Sequence, residues 1–210
     1  MFTSHVAYIG VDPTGGQRPF TFAVLDGDLR LMALRQGDMD EVLAFIGGQQ
    51  QVWVAVCAPP RPNQRVMEDP VVRQNLSPVP RPGRWMDFRL AEYLLRQHHI
   101  YCPHTAAEEQ DCPAWMQRGF VFYRHLEKLG FRPHPDESPS RYLEVYPHAS
   151  FCALLGQAPF AKTTLEGRLQ RQLVLYEQRL HIQDPMAFFE EITRHRLLQG
   201  ILPDNLYSPA

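Results

Sequence analysis

Apolar positions follow two rhythms along this chain, a period of two and a period near 3.6, and their alternation lays out the elements. His5 to Val11 alternate weakly, turn apolar and stop at Asp12-Pro13-Thr14-Gly15-Gly16; this reads as a central strand with Asp12 at its C-terminal tip. Pro19 to Leu25 and Leu29 to Arg35 flank Asp26-Gly27, a hairpin signal because glycine accepts the positive φ of a tight turn. The first three strands are therefore expected to form an antiparallel meander. Asp38-Met39-Asp40-Glu41 has the cap-x-x-Glu spacing of a helix start, Val42, Phe45 and Ile46 share one face, and Gly47-Gly48 close it. Gln51 to Cys57 is an apolar strand expected to be buried on both faces and parallel to the first, with Pro59-Pro60 fixing its exit.

Periodicity is lost from Arg61 to Arg84, where five prolines and five arginines meet Glu68 and Asp69. This long, locally basic excursion is either a solvated connection or a flap over the strand ends that touches phosphate or substrate. Helical spacing returns over Trp85 to His99, with Met86, Leu90 and Leu94 on one stripe and Arg89 and Glu92 spaced as an intrahelical pair. A helix from Pro113 to Leu129 is closed by Gly130, a strand from Arg141 to Tyr146 carries Glu144 and stops at Pro147, and Ala149 to Leu155 reads as a helix capped by Gly156. Thr163 and Glu166 have capping-box spacing ahead of a long amphipathic helix through Leu169, Leu173, Tyr176 and Leu180, and Asp184-Pro185 opens another. The fold class is α/β: a mixed sheet with a three-strand meander plus parallel strands, and helices on both faces.

Composition narrows the picture. At 210 residues and 44% hydrophobic the chain suits one domain, 1–210, with an excursion at 61–84. A formal charge of -2 with a pI near 6.5 supplies no global positive field, so any nucleic-acid contact must be local. Lys128 and Lys162 are the only lysines among the basic residues; the rest are arginines, which suit bidentate phosphate contacts, although GC-rich coding is the simpler explanation of them. Four cysteines without paired spacing and an N-terminus that enters a strand directly predict a reduced, cytoplasmic protein, and no apolar run approaches the ~20 residues of a membrane helix.

Six short stretches carry a resemblance: GVDPTGG, VAVCAPP, RLAEYLLRQHHI, WMQRGFVFYRHLEKLGF, EVYPHASFCALLG and KTTLEGRLQRQLVL. Together, from about Tyr8 to Leu175, they resemble the predicted RNase H-like nucleases catalogued as domain of unknown function 429, and the order of elements is likewise that of an RNase H-like fold. The resemblance implies a metal-dependent phosphodiesterase with an acid ending strand one, a second acid in the turn after strand four, and a glutamate in the E-V-x-P strand. Asp12 and Glu144 match, as catalytic residues and metal ligands; Cys57 stands where the second acid is expected. Two Mg²⁺ or Mn²⁺ ions about 4 Å apart would stabilise attacking and leaving oxygens, and hard cations want carboxylate oxygen, so a thiol at Cys57 weakens the site. Lys162 falls in the family-like K-T-x-x-x-G-R and joins the catalytic set, while Arg168, Arg171 and Arg89 are candidates for substrate phosphate. A further acid in a final helix is also implied, and the ending LPDNLYSPA is read as a truncation of it. The alternative is a catalytically degenerate RNase H-like module that binds nucleic acid or protein.

Other chemistries fit less well. Asp12-Pro-Thr-Gly-Gly is similar to the first phosphate loop of actin-like sugar kinases, but those need a second duplicated domain. His98, His99, Cys102, His104 and Cys112 crowd together without a finger or ribbon spacing for zinc. Cys57 as a nucleophile would need His5 or His148 beside it as base.

Overall fold

The computed structural model describes residues 6–15, 18–80 and 83–200. Six strands form one mixed sheet in the order β3-β2-β1-β4-β6-β5. They are β1 (Val6–Asp12), β2 (Phe20–Leu25), β3 (Leu31–Gly37), β4 (Gln51–Val56), β5 (Arg132–Pro133) and β6 (Ser140–Glu144). β1 to β3 are the expected antiparallel meander, and β4, β6 and β5 run parallel to β1. Among the described residues seven α-helices accompany them: α1 (Met39–Gly47), α2 (Pro70–Gln74), α3 (Leu90–Gln97), α4 (Ala114–Lys128), α5 (Pro147–Leu155), α6 (Leu165–Glu177) and α7 (Pro185–Gln199). His5, Gly16 and the C-terminal LPDNLYSPA lie outside the described residues.

One face of the sheet holds the core. Ile9, Val11, Phe22, Val54, Val56 and Tyr142 pack there against Val42 and Ile46 of α1 and Phe122 and Leu126 of α4, each buried side chain contributing about 1.5–3 kcal/mol. Gly119 lets α4 close on the exit of β4, because a Cβ there would meet the Ala58 methyl at 2.5 Å. The opposite face is open. β4 alternates buried with half-buried positions, so the expectation of burial on both faces is corrected: Val52, Val54 and Val56 are in the core, while Trp53 and Ala55 look the other way.

Local chemistry sets several boundaries as expected. Asp38 and Glu41 close a reciprocal capping box on α1, and the Asp184 carboxylate accepts from Met186 N at 2.8 Å to start α7 at Pro185. Elsewhere the third dimension prevails. The hairpin between β2 and β3 is organised by the Asp26 carboxylate, which accepts from Asp28 N and Arg30 N, both at 2.9 Å, and the positive φ falls on Leu29, not on Gly27. The basic excursion contains a single helical turn at Val66–Glu68 and the short α2. α3 is shorter than the spacing suggests and buries Glu92 and Tyr93, whereas Leu94 of the expected stripe is exposed. Thr164, not Thr163, caps α6, accepting from Gly167 N at 3.1 Å. Among the described residues no helix is long and apolar enough to cross a membrane.

Candidate functional site

Parallel register brings three strand ends together. β1 and β6 flank β4, with Val11 opposite Val56 and Val56 opposite Glu144; Cys57 N–H donates to Val11 O at 2.8 Å and Val145 N–H to Val56 O at 2.9 Å. Asp12, Cys57 and Glu144 therefore form a row at the carboxyl ends of the strands, the edge at which open α/β sheets bind ligands.

The three side chains differ in what they are free to do. Asp12 is exposed, and one carboxylate oxygen accepts from Thr14 N at 3.1 Å. Cys57 is half-buried; burial pushes its thiol up to about 11, with Asp12 and Glu144 raising it further and Lys162 opposing them. It stands as a neutral thiol at pH 7. Glu144 has both oxygens on Arg89, Nη1 donating to Oε1 at 2.8 Å and Nη2 to Oε2. Arg89 precedes α3, and its guanidinium lies between Glu144 and the 5% exposed Glu92, whose Oε1 is 4.0 Å from Nη1.

Glu92 is in turn fixed from three directions. Its Oε2 accepts from Arg89 N at 3.2 Å, and its Oε1 accepts from Thr105 N at 3.1 Å and from the Thr105 hydroxyl. The spacing of Arg89 and Glu92 predicts a pair within the helix; the main partner of the guanidinium is instead Glu144, 55 residues away, and Glu92 serves as an anchor for the backbone. Tyr123 of α4 completes the wall, its hydroxyl donating to Ala58 O at 3.1 Å, and burial together with the Glu144 charge holds its phenol well above the ordinary value.

Behind the row lies a cavity of about 50 Å³ bordered by Cys57, Arg89, Glu92, Cys102, Trp115 and Glu144, large enough for a few waters only. A wider groove of about 410 Å³ runs beside it, where Arg61, Asn63, Gln64 and Arg89 alternate with Pro60, Pro62, Val66, Leu90 and Ala91 and the start of the basic excursion meets α3. Asn63 holds that junction, donating to Asp87 O at 2.6 Å and accepting from Arg65 N at 2.9 Å.

The remaining candidates separate clearly. Lys162 is exposed and close enough for its charge to act on Cys57. Its loop is held by a crossing that only glycine permits: a Cβ on Gly167 would lie 2.0 Å from Ala161 O. Arg171 pins the same loop, its Nη1 donating to Phe160 O at 2.8 Å and Gly167 O at 2.7 Å; Arg168 is exposed. Glu68 pairs with Arg65 at 3.7 Å and Asp69 caps α2, so neither loop acid joins the row. His148 lies 3.8 Å from Cys152, not against Cys57.

These residues do not fit a resident pair of hard cations. Among the described residues no group of three or more His, Cys, Asp and Glu side chains could hold a metal ion, the soft cluster around Cys102 and Cys112 included. Of the two acids, one is committed to a guanidinium, and the thiol between them offers no hard oxygen. Sequence reasoning locates the row and singles out Glu92 beside Arg89, but misses Thr105 and Tyr123, whose partners are distant in the chain.

The chain matches the family described as "Protein of unknown function (DUF429)" over residues 10–199, and it belongs to that family. No curated protein and no solved structure matches it.

Proposed function

We propose that this chain is an RNase H-like domain whose strand-tip site has given up metal-dependent phosphodiester hydrolysis and binds nucleic acid through its phosphates. Support for the fold comes from the strand order and the parallel β1-β4-β6 core of the sheet with a leading meander. The observation that carries the functional reading is the Arg89–Glu144 pair: a carboxylate with both oxygens on one guanidinium has its charge already balanced, so a cation must compete with Arg89 for it, and Cys57 replaces the acid beside it. Binding takes place along the groove of Arg61 and Gln64, with the exposed Lys162, whose charge reaches Cys57, as a second contact at the strand tips. Phosphate contacts of this kind are sequence-independent and salt-sensitive, and in a chain with a formal charge of -2 they must come from local basic side chains.

The test pairs binding with cleavage. Labelled single-stranded, duplex and hybrid substrates are titrated by anisotropy and incubated with Mg²⁺ and Mn²⁺. The expected result is binding that weakens about tenfold between 50 and 200 mM salt, further loss in Arg61→Ala with Lys162→Ala, and no cleavage by wild type or Cys57→Asp. Metal-dependent cleavage by wild type that disappears in Asp12→Asn would restore the nuclease reading, and absence of binding to all three substrates would remove the nucleic-acid one.

A further inference from the structure

The open face of the sheet carries a second site, unrelated to the strand tips. Its floor is a cross-strand row of small residues: Gly10 lies opposite Ala23 on one side and Ala55 on the other, and Ala55 opposite Leu143. A Cβ on Gly10 would meet nothing within 4 Å, so the space above the floor is open. Leu31 and Leu34 of β3 form one wall and Leu175, Leu180 and Ile182 the other, enclosing about 600 Å³. Walls on both sides make this a concave pocket in the size range of small-molecule sites, whereas a surface for another folded chain would be flatter.

The neighbouring row gives the pocket a polarity. Tyr8 is paired with Trp53, Trp53 with Arg141, and Arg141 with Arg132. The Arg141 guanidinium lies 4.7 Å from the centre of the Trp53 ring and His134 stacks on the same ring at 5.3 Å; Arg141 enters no ion pair among the described residues. The groove thus passes from aliphatic walls, across an indole, to two arginines on adjacent strands. A ligand complementary to that gradient has an apolar body and an anionic end.

We infer that this face binds a carboxylate-bearing amphiphile, its hydrocarbon chain over Gly10, Ala23 and Ala55 and its carboxylate at Arg141. The site is separate from the nucleic-acid reading, and either stands without the other.

Sodium decanoate below its micelle concentration and 1-decanol, titrated calorimetrically into the full chain, test this. Decanoate is expected to bind saturably at one per chain and more tightly than the alcohol. Arg141→Gln should weaken decanoate at least tenfold and leave decanol unchanged, while Ala55→Leu, which fills the floor, should abolish both. Because a filled floor can disturb folding, Arg141→Gln and wild type, both checked by thermal melting, are the pair that decides. No saturable decanoate binding by wild type, or equal loss of acid and alcohol in Arg141→Gln, overturns the proposal.

Discussion

Asp12 and Glu144 end strands on either side of β4, carry the same charge and face the same edge of the sheet, yet their surroundings have made them different groups. Asp12 meets water and one backbone amide. Glu144 meets a guanidinium that is itself backed by a buried carboxylate. Both charges raise the Cys57 thiol, Asp12 more than Glu144, and Glu144 also raises the Tyr123 phenol while paired with Arg89. Residue type and position at a strand tip therefore do not define a metal ligand; the partner of the carboxylate decides.

The comparison breaks most severely if Arg89 is removed. Arg89→Met leaves Glu144 and Glu92 facing each other without a cation, and a loss of about 2–4 kcal/mol is expected in urea unfolding. The same variant should be the one in which Cys57→Asp gains detectable Mg²⁺ affinity by calorimetry, since Glu144 is then released.

Next in size is the alkaline response of Cys57. Its thiol is raised from 9.0 to about 11, so the neutral form is favoured in the folded chain; the associated stability is complete below pH 9 and is lost as pH rises through 11. A decline of order 2 kcal/mol over that window, absent in Cys57→Ser, is expected from pH-dependent unfolding. Glu144→Gln keeps the shape but removes the charge from the pair, at about 1–2 kcal/mol. Asp12→Asn should change stability by less than about 0.5 kcal/mol. It should nonetheless lower the labelling pH of Cys57 by iodoacetamide, followed by peptide mass spectrometry, more than Glu144→Gln does. The reverse order would mean that Glu144 acts on the thiol more strongly than Asp12 does.

How far the chain can be read before folding follows from the range of each interaction. Asp38 with Glu41 and Asp184 with Pro185 are settled within four residues, and they are legible. The meander and the parallel entry of β4 follow from periodicity, and the row of Asp12, Cys57 and Glu144 from motif resemblance. The short α3 is not legible, because Tyr93 and Glu92 are buried by partners elsewhere in the chain. Burial of β4 is overestimated because an alternation of Trp53 and Ala55 with valines is apolar throughout, and only the absence of bulk above Gly10 tells the two faces apart. Sequestration of Glu144 by an arginine 55 residues away has no local signature.

The crossing at Gly167 bears on how Lys162 acts. Its loop is clamped by Thr164, Gln170 and Arg171, whose contacts to the backbone at 160, 161 and 167 are made before any ligand arrives. A lysine on a limp tether would surrender backbone freedom on meeting an anion, which detracts from affinity; here only the side chain's own rotors remain to be stilled. Lys162 is in this sense a charge mounted on a strut, and a Gly167 substitution that loosened the strut would weaken association through entropy while leaving every ionic group in the protein unchanged.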